Sequence, residues 1–168
     1  GMVVNANEKD AQGAFKKEDL ISDSYDAIHC RKYIEAKDID KFQVKRVRYL
    51  EWNTERCPDK LRRPTFRELY DCPKLLINRL GVLKVYLDMD THFLHSDSMF
   101  CAVLWKDLKG VYNKSLSSSI KKFCKHNRAA MESLSEKVDL YYLLGILNSS
   151  MADQLLADQR GGDYHIYP

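Results

Sequence analysis

Residues 73–88, PKLLINRLGVLKVYLD, leave the chain few choices of fold. Pro73 cannot donate to a ladder and so marks a boundary, after which two apolar runs, 74–80 and 82–88, are separated by the single glycine Gly81. Two such runs around a glycine turn predict a β-hairpin. On its second strand the period of two turns Leu83, Val85 and Leu87 toward a core, and Lys84, Tyr86 and Asp88 away from it.

The other segments divide into strand-like and helix-like patterns. Residues 2–14 are polar and aperiodic and read as a loose leader with little structure, so the domain is expected over 15–168 and the leader over 1–14. A strand is expected through Ile28, Cys30 and Ile34. Phe42, Val44, Val47, Tyr49 and Trp52 predict a stronger one, whose apolar phase slips between Val44 and Val47 as at a bulge or bend. Residues 63–70 suggest a short helix with Pro64 in its first turn, where a missing N–H costs nothing. Residues 93–105 suggest strand broken at 95–98, and the polar segments 115–125 and 127–137 suggest helix or loop.

From Asp139 as N-cap, Leu140, Leu143, Leu144, Leu147, Met151 and Leu155 recur at helical spacing, and Gly161 and Gly162 would stop the helix. Gly145 inside it costs about 1 kcal/mol relative to alanine, which a close helix-on-sheet contact would justify.

With 168 residues, 45% of them apolar, there is material for one domain with a core. The five cysteines include no C-x-x-C pair, which argues against a zinc knuckle or disulfide framework and for a reducing, cytoplasmic setting. No run of 18 apolar residues suggests a membrane span. The net charge is only +3, but residues 41–67 hold nine basic side chains against three acidic ones. A second basic knot is Lys121, Lys122, Lys125, His126 and Arg128.

Two clusters suggest metal chemistry. Asp26 followed by Glu35 and Lys37 resembles the D…E-x-K pattern of metal-dependent nucleases, in which carboxylates hold a divalent ion and the lysine polarises water. His92 and His95 with Asp88, Asp90 and Asp97 could ligate a transition metal, although a solvated loop explains them as well. No nucleophile elbow, P-loop or dinucleotide fingerprint is present. The remaining signal is basic and aromatic interleaving: Arg46, Arg48, Arg62, Arg63, Lys74, Asn78, Arg79, Lys84 and Tyr86. Such side chains can neutralise phosphates and read base edges, and a solvated basic face is the plain alternative.

Three blocks of the sequence resemble a known family. They are RKYIEAKDIDKFQV leading into Tyr49-Leu50-Glu51-Trp52; RPTFRELY at 63–70 with PKLLI at 73–77, Arg79, Gly81 and Asp88; and YYLLGILNS at 141–149 with Gly161-Gly162 and the closing YHIYP. In order and spacing these are similar to the TaqI-like C-terminal specificity domain, the target-recognition domain of type IIG restriction–modification enzymes and related adenine-N6 DNA methyltransferases.

The resemblance implies an α+β fold, a twisted and mostly antiparallel sheet with packed helices, whose surface lies in the DNA major groove and selects the site that a separate methyltransferase domain of the same polypeptide modifies. Double-stranded DNA and that domain would be the partners. No catalytic or cofactor motif of the family is found here, so S-adenosylmethionine, and Mg2+ where the parent also cleaves, would bind elsewhere in a parent protein cut at both ends in this chain. The segment 73–77 would be a packing strand with Lys74 and Arg79 at its ends near phosphates. Rival readings are a nuclease using Asp26, Glu35 and Lys37, and a protein-interaction module docking through the helix over 140–155.

Overall fold

The computed structural model describes residues 2–6, 14–63, 66–123 and 125–160. Its strands, in chain order, are β1 (Val3–Ala6), β2 (Ile21–Ser22), β3 (His29–Ile34), β4 (Ile39–Asp40), β5 (Gln43–Val44) and β6 (Arg48–Glu51). They continue as β7 (Leu61–Arg63), β8 (Lys74–Asn78), β9 (Val85–Asp88), β10 (Leu94–His95) and β11 (Met99–Ala102). Four helices follow, α1 (Lys114–Phe123), α2 (Arg128–Ser135), α3 (Leu140–Leu147) and α4 (Ser150–Arg160). The α+β class and the mainly antiparallel pairing are those expected, but the strands are shared among small sheets. These have the orders β10-β3-β6-β2, β11-β8-β9, β1-β7 and β4-β5, with β10 parallel to β3.

The hairpin forms as its sequence predicts, with Lys74 opposite Asp88 and Ile77 opposite Val85, and with Gly81 at φ 78° in the turn. Leu75 and Ile77 meet Leu83, Val85, Leu87 and Leu140 in one core cluster, while Leu76 joins Ile34, Ile39, Phe93 and Met99 in another. Because β8 is covered on both faces, its sequence is a continuous apolar run. The second face also corrects the expected orientation of Asp88, which is buried opposite Lys74.

The leader reading fails for residues 2–6. Met2, Val4 and Ala6 alternate inward into the core that holds Leu20, Tyr33, Leu50 and Leu61, and β1 pairs with β7. The period of two is present, but it is too short to stand out from the polar residues after it. The expected strand over 42–52 is split into β5 and β6 by a bend at the predicted phase slip, and Phe42 lies before β5, at φ 65° in the turn that follows β4. Of the helix expected over 63–70 only a 3-10 turn at Arg67–Leu69 forms, since Arg63 ends β7; Pro64 and Thr65 lie outside the described residues.

Asp139 caps α3 as expected, accepting hydrogen bonds from the N–H groups of Tyr141 and Tyr142. The single helix expected over 140–155 is two. Asn148 ends α3 and turns its amide onto β9, where Oδ1 accepts from Val85 N at 2.9 Å and Nδ2 donates to Val85 O at 2.8 Å. One side chain thus pairs both backbone groups of Val85 on this edge strand, and Phe42 N adds a second donor to the Val85 carbonyl. No close contact explains Gly145, because nothing lies within 4 Å of where its Cβ would stand. The glycine stop at 161–162, the tail after it and Cys124 lie outside the described residues.

Candidate nucleic-acid interface

Three of the side chains expected to meet DNA are internal. Lys74 has 0% side-chain exposure and donates to Asp88 Oδ2 and to Tyr70 O, both at 2.7 Å. Asp88 also accepts from the N–H groups of Thr91, His92 and Phe93, so the pair closes the loop after β9. Lys74 is therefore framework and does not reach phosphate. Arg48 is buried between Glu35, at 3.0 Å, and Asp38. Asn78, 3% exposed, donates to Leu80 O at 2.6 Å and Val82 O at 2.7 Å and accepts from Lys84 N at 2.7 Å. With both ends of its amide engaged, it has no edge for a base.

The other candidates reach solvent. Arg46 pairs with Asp23 at 2.6 Å, both well exposed. Lys84 lies 3.7 Å from Asp40. Arg62 and Arg63 stand exposed on β7, with Arg63 3.8 Å from Asp97. Arg79 donates to Asp97 O at 2.9 Å and stacks over the Phe100 ring at 5.2 Å, so Asp97 gathers two predicted arginines. Tyr86 is half-buried, edge-on to Phe93.

Three surface grooves join at Lys37. The largest, about 810 Å3, runs between β1, Lys16, Lys17 and residues 96–98. A second, about 270 Å3, is lined by Lys17, Asp23, Arg46 and Arg48, and a third, about 340 Å3, by Asn78, Leu80, Val82 and Lys84. Lys37 lines all three, with 65% of its side chain exposed.

Glu35 organises this junction. Its carboxylate takes Lys17 at 2.9 Å, Arg48 at 3.0 Å and Lys37 at 3.2 Å. Local backbone chemistry fixes the carboxylate in place, since Glu35 N donates to Asp38 Oδ2 and Asp38 N donates to Glu35 O. Burial works to raise the Glu35 carboxyl, but the hydrogen bonds from Lys17, Arg48 and Lys37 outweigh it and hold it down at about 2. It stays ionised and anchors cations that reach outward. Sequence reasoning missed Lys17 and gave Lys37 only a nuclease role; the one local signal was the alternation of Glu35 with Lys37.

The metal patterns do not assemble among the described residues, where no group of three or more His, Cys, Asp or Glu side chains could hold an ion. Asp26 precedes the six-residue β3 and Glu35 follows it, a separation of about 20 Å. Asp26 instead receives Ile28 N and His29 N in a tight turn, and the His29 bonds hold its carboxyl at about 2. His95 is fully buried against Tyr70, its rings 5.3 Å apart, and burial holds its imidazole down at about 3. Burial likewise pushes the Cys57 thiol up to about 12, and Cys30, Cys57, Cys72 and Cys101 are free thiols. Among the described residues no helix is long and apolar enough to cross a membrane. No protein-family model matches the chain, and a search of curated proteins found no match to it.

Proposed function

We infer that this chain is a duplex-DNA recognition domain, a specificity module for a methyltransferase domain of the same polypeptide. The observation that carries the reading is the meeting of three grooves at Lys37, which brings solvent-reaching cations from separate parts of the chain, Lys17, Lys37, Arg46 and Lys84, onto one surface. Cations gathered in this way suit a polyanion, whose phosphates would exchange with weak surface pairs such as Arg46 with Asp23. Catalysis and S-adenosylmethionine belong, in this reading, to the partner domain.

The test is binding of the full chain to duplex DNA as salt is raised. With about four phosphates neutralised, affinity should fall roughly a hundredfold between 50 and 200 mM salt. Affinity independent of salt would remove the reading. One observation favours a second reading, a protein-docking module: Tyr141, Tyr142, Ile146, Met151 and Leu155 of α3 and α4 are exposed. That reading expects alanine at Tyr142 and Ile146 to abolish function while DNA binding is unaffected.

A further inference from the structure

Two aliphatic side chains stand in solvent at the tip of the β8–β9 hairpin, Leu80 at 56% exposure and Val82 at 64%. Single exposed aliphatics are ordinary. These two, however, sit on a turn held from within, because Asn78 ties down the carbonyls of both residues and the N–H of Lys84. Gly81 lies between them at φ 78°, a conformation that side chains disfavour. The chain has therefore used a buried amide and a glycine to present two apolar groups in fixed positions.

Their setting narrows the partner. Leu80 and Val82 line the third groove with Ala36, in company with Lys37 and Lys84. The turn at residues 40–43 runs beside the start of β9, since Phe42 N donates to Val85 O and Asp40 approaches Lys84. Phe42 is itself exposed there. A partner must offer apolar groups to the tip and anions to the lysines beside it. The major groove of duplex DNA does both, with thymine C5 methyls on its floor, phosphates along its walls, and a width that admits a two-stranded β-ribbon.

We propose that Leu80 and Val82 are the base-contacting side chains of this chain, meeting thymine methyls in the major groove while Lys37 and Lys84 hold the flanking phosphates. The proposal rests on the DNA-recognition reading. Asn78 is then a positioning residue that acts through the tip and touches no base.

The experiment selects bound duplexes from a random-sequence pool, using the full chain and its Leu80→Ala/Val82→Ala variant. The wild type should enrich A·T pairs at one or two positions. The variant should keep the salt slope, which the lysines set, and lose that enrichment, and Asn78→Ala should lose it too with the tip side chains intact. Replacing thymine by uracil at the enriched positions should weaken wild-type binding about tenfold, as a lost base contact does, and leave the variant unchanged. The uracil arm uses the wild-type chain and does not depend on any variant folding. Equal wild-type affinity for thymine and uracil, or enrichment retained by the double variant, overturns the proposal and leaves DNA recognition standing. Absence of salt-dependent binding by the wild type overturns both.

Discussion

Lys74 and Lys84 lie on the two arms of one hairpin and look alike in the sequence, yet they end on opposite sides of the solvent boundary. Lys74 faces Asp88 across the ladder, on the side of the sheet that packs against Ile34, Phe93 and Met99, and its ammonium group is wholly enclosed. Lys84 lies just before β9 begins, beside a clamped turn, and its ammonium group reaches a groove. The same contrast separates Arg48 from Arg46, two residues apart. A basic run in a sequence therefore does not define an interface. What decides is whether register or a neighbouring turn places a carboxylate opposite the cation on a covered face.

The largest effect expected from this contrast is at Lys74. Lys74→Ala leaves Asp88 buried without its counter-charge and should destabilise the fold by about 3–5 kcal/mol in urea unfolding. Lys74→Met, which restores the volume and not the charge, should cost nearly as much. A loss below about 1 kcal/mol for either would mean that Lys74 is not the framework residue described. Arg48→Ala should come next, at about 2–3 kcal/mol. It is smaller because Lys17 and Lys37 still compensate Glu35 when the guanidinium is gone, and Asp38 keeps the hydrogen bond from Glu35 N.

The ease of reading followed the range of the forces involved. The β8–β9 hairpin was legible because its strands, proline and glycine turn lie within sixteen residues and its pattern is local. The cap at Asp139 was legible for the same reason. The broken helix at Asn148 was not, since the break is stabilised by Val85, 63 positions away. Nor was β1, whose partner β7 is distant in sequence. Among the site residues, Arg46, Arg62, Arg63 and Arg79 are exposed and Lys84 is half-buried, whereas Arg48, Lys74 and Asn78 are buried by pairings that no local pattern announces. The junction at Lys37 is the least legible part, because it joins turns from residues 16–18, 35–38 and 78–84.

Acid should act on the framework through His95 first. His95 is neutral in the folded chain with its pKa lowered from 6.5 to about 3, so the unfolded chain takes up the proton first. Its contribution to stability is complete above pH 6.5 and is lost as pH falls from there toward 3, at about 1.4 kcal/mol per pH unit. Glu35, lowered from 4.5 to about 2, adds a second loss in the same direction below pH 4.5. Urea unfolding of His95→Phe between pH 7 and 5 isolates the first effect. The variant should be nearly flat there, and a slope equal to that of the wild type would show that His95 is not the group titrating.

The smallest stability effect belongs to the surface cations, and it is the sharpest test of the contrast. Lys37→Ala and Lys84→Ala remove side chains that reach solvent and hold only weak or partial pairs, so each should change unfolding free energy by no more than about 0.5 kcal/mol. On DNA the order should invert. Each of these substitutions should weaken binding to all sequences alike and reduce the slope of log affinity against log salt by about 1, whereas Lys74→Met should leave that slope unchanged wherever the chain remains folded. Two measurements on the same three variants thus place each of these three lysines either inside the fold or at its edge. A slope altered by Lys74→Met and unmoved by Lys37→Ala would reverse the assignment, because a side chain enclosed by Asp88 and the Tyr70 carbonyl cannot release a counterion from DNA without opening the hairpin first.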